Sequence, residues 1–212
     1  MRTIAFQLIV SLFLFAACNS KENKTAPILE DDRKTDSPQS TAPQTLGNAY
    51  LTVDVSPMDM AYFPVEYPKL KMANPSIPPP VARVIYSRPH LQGRELFHDV
   101  LKYGESWRLG ANESTEIQLF RDVTINGKKI QAGRYILYCI LGESKWEIVF
   151  NSDIDSWGLK QNPKLDVARF EVPATHGNPE LEYFTIVFEA TNKGADLVFG
   201  WDDVLVRMSM NF

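Results

Sequence analysis

Val123-Thr-Ile-Asn-Gly-Lys-Lys-Ile130 places two short β-prone runs on either side of Asn126-Gly127. A two-residue Asn-Gly loop is the strongest short-range hairpin signal, because both central residues must accept positive φ. The same period of two continues outward from this hairpin. Upstream lie Val81-Ala-Arg-Val-Ile-Tyr86 and Thr115-Glu-Ile-Gln-Leu-Phe120, and Leu51, Val53 and Val55 alternate with polar partners. Downstream lie Tyr135–Leu141, Trp146–Phe150, Val167–Val172, Tyr183–Phe188, Leu197–Trp201 and Val204–Met210. Gly142-Glu-Ser144 and Asp202-Asp203 read as turns between neighbouring runs. Only Asp99–Lys102 suggests a single helical turn. About nine short strands punctuated by Gly, Pro, Asn and Asp predict an all-β, antiparallel β-sandwich, jelly-roll-like in character. Met58 to Pro80 is rich in proline, which cannot donate to a central ladder. It is expected to wrap a sheet edge as extended or polyproline structure.

The N-terminus carries an address. Met1-Arg2 is cationic, Ile4 to Phe15 is almost wholly apolar, and Phe15-Ala-Ala-Cys18 closes the stretch. This is the layout of a secretory signal peptide, and it is too short for a spanning helix. The cysteine after small residues resembles the lipobox of bacterial lipoproteins, with Phe15 standing where an aliphatic residue is usual. The resemblance implies a signal peptide over residues 1–17 and lipid attachment at Cys18. Residues 18–48 are polar and nearly free of aromatics, so they read as a disordered tether with a coil span of about 30 Å. The β domain is then residues 49–212. The expectation is a lipid-anchored protein of the bacterial cell envelope, at the outer membrane, on either its periplasmic or its surface face.

Charge and cysteines narrow the chemistry. The net charge of −4 and the absence of a basic patch with interleaved aromatics argue against a nucleic-acid partner. With Cys18 consumed by lipid, Cys139 has no disulfide partner, and its apolar run makes it a core residue. The histidines His90, His98 and His176 have no metal-site spacing, so neither a metal nor any cofactor is expected. Asp153 and Asp155 alternate but lack the glycine and distal Glu of a calcium loop, and read as a turn. Trp146 and Trp201 alternate with apolar neighbours as core residues do, whereas Trp107 and Trp157 fall in loops.

The stretch Tyr86 to Glu113 concentrates residues that bind ligands: Arg88, Arg94, Trp107, Arg108, Asn112 and Glu113. Guanidiniums suit carboxylates and phosphates, and indoles stack on sugars or cations. The structural alternative is a buried pair, Arg108 with Glu113 or Arg88 with Glu113, that ties the loop down. A nucleophile elbow is missing around Ser87.

Several blocks in order carry a family resemblance. They are Val84-Ile-Tyr-Ser-Arg-Pro89, Gly93-Arg94, Tyr103-Gly104, Trp107-Arg-Leu-Gly-Ala-Asn-Glu113, Ala132-Gly-Arg-Tyr135 and Trp157-Gly158. From about Ser56 to the C-terminus the chain resembles an exported bacterial family, domain of unknown function 2911. The resemblance implies a β-rich exported domain and supplies no reaction, substrate or partner. Leu101-Lys-Tyr103, Ile140-Leu141 and Leu159 depart from the family pattern at turn positions. Three functional expectations follow. The first is a non-catalytic module binding a small molecule, a glycan or an envelope protein through Arg88, Trp107, Arg108, Asn112 and Glu113. The second is an envelope hydrolase with Glu113 as acid/base and Arg108 as anion clamp. The third is a purely structural envelope component.

Overall fold

The computed structural model describes residues 53–212; the expected signal peptide, Cys18 and the tether lie outside the described residues. Twelve antiparallel strands build the domain: β1 (Met58–Phe63), β2 (Ala82–Ser87), β3 (Ser106–Trp107), β4 (Thr115–Leu119), β5 (Val123–Ile125), β6 (Lys128–Ile130), β7 (Gly133–Ile140), β8 (Lys145–Asn151), β9 (Asp166–Thr175), β10 (Leu181–Thr191), β11 (Gly194–Asp202) and β12 (Val204–Asn211). The main path of the sheet runs β1-β2-β4-β7-β8-β9-β12-β11-β10, so its nine strands match the expected number. The short strands β3, β5 and β6 pair off that path. Asn126 and Gly127 take φ of 46° and 76° between β5 and β6, the geometry that the Asn-Gly pair predicts.

Alternation sets the inside of the sheet. Ala82, Val84 and Tyr86 of β2 are buried while Arg83 and Ile85 between them are half-exposed; β4 repeats this with Thr115, Ile117 and Leu119 inward. Trp146, Phe150, Phe184, Phe199 and Trp201 fill the enclosed core, each contributing about 1.5–3 kcal/mol by leaving water. Cys139 is fully buried in β7, and burial pushes its thiol well above the ordinary value.

The sheet curls until its two ends nearly meet. Past β2 the chain pairs with the start of β10: Leu91 N–H donates to Glu182 O at 3.0 Å, and Phe184 N–H to Pro89 O at 2.8 Å. Tyr86 Oη donates to Ile186 O and Arg88 Nε to Phe184 O, each at 3.2 Å, so side chains satisfy carbonyls of β10 where no strand reaches them. Phe63 of β1 lies 6.1 Å from Phe188 of β10, ring to ring. The result is a nearly closed, barrel-like sheet, which leaves little open edge for pairing with another chain.

Three local expectations are corrected. No strand forms over residues 53–55, because Asp54 Oδ1 captures the Ser56 N–H at 2.6 Å and bends the chain. The proline-rich segment is not uniformly extended. It contains β1, which pairs with β2 from Met58 opposite Ser87 to Phe63 opposite Ala82, and the helix α1 (Tyr67–Ala73). Pro68 sits in the first helical turn of α1, where its missing N–H is not needed. The helical turn expected at Asp99–Lys102 lies at Leu96–Val100 and has π-helical geometry.

Candidate functional site

The loop from Trp107 to Ser114 closes one end of the barrel, and its own hydrogen bonds hold its shape. Leu109 and Asn112 take φ of 54° and 56°, and Leu109 is fully buried, so the chain doubles back sharply. Trp107 Nε1 donates to Gly110 O at 3.1 Å, and Thr115 Oγ1 donates to Leu109 O. A side chain at Gly110 would stand 3.1 Å from Ser87 O, which is why the loop packs so closely on β2.

Beneath this loop lies a cleft of about 460 Å³, within the range of about 300–1,000 Å³ usual for small-ligand sites. Trp107 and Trp201 stack at its base, ring centroids 5.5 Å apart, and Trp107 meets Phe184 edge-on at 4.7 Å. Its polar wall includes His90, Arg94 and Arg108, and no Asp or Glu belongs to its lining. In a chain of net charge −4, that is a local reversal of sign. Arg94 is occupied, Nε donating to Leu91 O at 2.8 Å and Nη2 to His90 O at 2.7 Å. Arg108 forms no ion pair among the described residues, and its Nε is buried without a partner. Burial pushes its guanidinium below the ordinary arginine value. His90 is stacked flat on Tyr183, centroids 4.9 Å apart, with its Nδ1 3.6 Å from Glu182 Oε1, and its Nε2 is also buried and unpartnered. Buried donors without partners cost free energy, and a desolvated cation without an anion costs more. A small anion entering this cleft would meet the terminal nitrogens of Arg108, which have no partner among the described residues.

The five residues singled out in the sequence do not converge. Trp107 and Arg108 face the cleft. Arg88 sits at the seam between β1 and β10, with Nη1 3.1 Å from Asp59 Oδ2, Nη2 2.9 Å from Thr185 Oγ1 and its guanidinium 5.8 Å from the Tyr183 ring centroid. Asn112 ties down the chain entering the domain, with Nδ2 donating to Asp54 Oδ2 at 3.1 Å and to Ser56 O at 3.4 Å. Glu113 is exposed and lines a second hollow of about 450 Å³ on the outer face of β2, β4 and β7. Neither expected buried pair exists. Arg88 pairs with Asp59, and Glu113 and Arg108 point into separate hollows.

The segment Asp155–Leu159 divides the two hollows. Asp155, Ser156 and Trp157 line the outer one, and Gly158 and Leu159 line the cleft. Gly158 takes φ of 77°, and a side chain there would stand 2.1 Å from Ser114 Oγ, so only glycine lets the segment lie this close. In the outer hollow, register places Arg83, Gln118 and Arg134 in one row and Ile85, Glu116 and Ile136 in the next. Arg134 clamps Glu116 with Nε at 3.0 Å and Nη2 at 2.5 Å, and its Nη2 also reaches Asp155 Oδ1 at 3.1 Å.

The remaining candidates have structural places. Ser87 is fully buried with its Oγ 2.9 Å from Met58 Sδ. His98 pairs with the adjacent Asp99 at 2.7 Å on the surface, and His176 Nε2 lies 2.9 Å from Glu143 O. Among the described residues no three His, Cys, Asp or Glu side chains are grouped to hold a metal ion. Sequence reasoning missed His90 and Trp201 as cleft residues. Trp201 reads correctly as core, and nothing in the local sequence says that this buried indole backs the lining of a cleft.

The model of a family described as Protein of unknown function (DUF2911) matches residues 72–210. No curated protein and no solved structure matches the chain.

Proposed function

The chain belongs to the DUF2911 family, proteins of unknown function, and we propose that this member is a non-catalytic binding module for a small anionic ligand. The ligand carries a carboxylate or phosphate on a ring or other flat body. The observation that carries this reading is Arg108, a half-buried guanidinium with no acidic partner among the described residues, facing a cleft lined by Trp107 and Trp201. The anion meets the terminal nitrogens of the Arg108 guanidinium, and its body lies against the half-buried Trp107. Charge-assisted hydrogen bonds of this kind are about twice as strong as neutral ones. The alternative hydrolase that uses Glu113 with Arg108 gains no support, since the two side chains line different hollows. We place the module on a lipid anchor at Cys18, on the tether of residues 18–48, at the outer membrane of a bacterial envelope. That placement rests on the N-terminal sequence.

The test is the melting temperature of the protein with citrate, inorganic phosphate, glucose 6-phosphate and indole-3-carboxylate, in parallel with an Arg108→Met variant. A ligand at a hundredfold excess over its dissociation constant adds about 2.7 kcal/mol to stability. At least one of these anions should raise the melting temperature of the wild type and leave Arg108→Met unchanged. A flat response to all of them, with both proteins folded, removes the reading.

A further inference from the structure

We propose that the outer hollow is a second, independent site, and that it binds a neutral glycan. Trp157 is the most exposed of the indoles, at 55% of its surface, whereas Trp146 and Trp201 are each 1% exposed and Trp107 is half-buried. An indole costs free energy in water, and the Asp155–Leu159 segment holds this one on the lip of a hollow. The lining beneath it mixes charged Arg83, Glu113, Glu116 and Arg134 with apolar Ile85 and Ile136. Glu113 makes no hydrogen bond or ion pair among the described residues, so its carboxylate is available as an acceptor. Arg83 donates Nη2 to Gln118 Oε1 at 2.7 Å and keeps its Nε buried without a partner.

Charge decides the class of ligand. Glu113, Glu116 and Asp155 face Arg83 and Arg134, three carboxylates against two guanidiniums, and two of the three are already clamped by Arg134. An anion would meet the surplus carboxylate, and a cation would meet both arginines. A neutral polyol meets neither penalty. Each sugar hydroxyl donates and accepts at once, so adjacent hydroxyls can donate to Glu113 and accept from the unpaired Nη1 of Arg83. The C–H face of the same ring stacks on Trp157, as amphipathic aromatic side chains allow. This site differs from the cleft in charge, in ligand and in its aromatic residue, and it does not depend on the cleft reading.

The experiment titrates the ¹⁵N-labelled full chain with maltotetraose, cellotetraose, xylotetraose and chitotetraose at millimolar concentration. The readout is the indole N–H resonance of Trp157, assigned by its disappearance in Trp157→Phe. Calorimetry is run in parallel on Trp157→Ala and Glu113→Gln, both surface substitutions. At least one oligosaccharide should shift the Trp157 resonance saturably, and each variant should weaken its binding by about tenfold or more, roughly 1.4 kcal/mol. No saturable shift with any of the four overturns the proposal. So does binding that survives both substitutions. Because the signal belongs to Trp157 itself, failure here is separate from failure of the anion test in the cleft.

Discussion

Arg88 and Arg108 stand twenty positions apart in one motif-rich stretch, and the molecule treats them in opposite ways. At the β1–β10 seam the fold supplies Arg88 with a carboxylate, a hydroxyl, a carbonyl and an aromatic face. In the cleft the fold supplies the buried Arg108 Nε with nothing. A guanidinium whose donors are satisfied internally is part of the architecture, while one that is desolvated and left open creates a demand that an external anion can meet. Residue type does not distinguish the two; the number of partners does.

The largest expected effect comes from breaking the seam. Arg88→Met removes the bonds to Asp59, Phe184 O and Thr185 together and strands a carbonyl of β10. It should destabilise the domain by about 3 kcal/mol in urea denaturation and leave the anion response of the cleft in place. A loss below about 1 kcal/mol would show that the barrel closes without this clamp.

Next is the wall that separates the hollows. Gly158→Ala sets a methyl 2.1 Å from Ser114 Oγ at a φ of 77°. About 2 kcal/mol of strain is expected, together with weaker binding in both hollows. If only one site responds, the segment is not a shared wall.

Arg108→Met should change stability by less than about 1 kcal/mol, since it removes an unpaired charge and keeps the aliphatic stem. It should abolish the anion-induced rise in melting temperature. A loss as large as that of Arg88→Met would place Arg108 with the architecture after all.

The smallest effect is titrational and lies near the cleft rim. The Asp99 carboxylate beside His98 holds the imidazole above its ordinary 6.5, and His98 in turn holds Asp99 below its ordinary 3.8. The raised histidine contributes stability below pH 6.5 that fades as pH rises through its folded value. The lowered aspartate contributes stability above pH 3.8 that fades as pH falls through its own. The pair therefore helps most between those limits. NMR titration of His98 should give a midpoint above 6.5 that returns to it in Asp99→Asn. An unchanged midpoint in that variant would dismiss the pair.

Much of this molecule was legible along the chain. Period-two alternation, Asn126-Gly127 and the turn residues fixed an all-β antiparallel fold, because strand faces and positive-φ turns are set by nearest neighbours. The same local logic read Trp146, Trp201 and Cys139 as core and Trp157 as a loop indole; Trp107, also read as a loop indole, instead lies in β3 opposite Cys139 and packs on the core. It failed where the proline-rich segment formed β1 and α1, since pairing of Met58–Phe63 with β2 outweighs weak local preference. It also could not sort the arginines. Arg88 meets its partners about a hundred residues away on β10, and the cleft joins His90, Trp107, Gly158 and Trp201 from four separate segments. Local sequence determined which residues could bind. Only the closure of the sheet decided which of them were left with nothing to bind, because satisfaction of a buried polar group depends on distant neighbours.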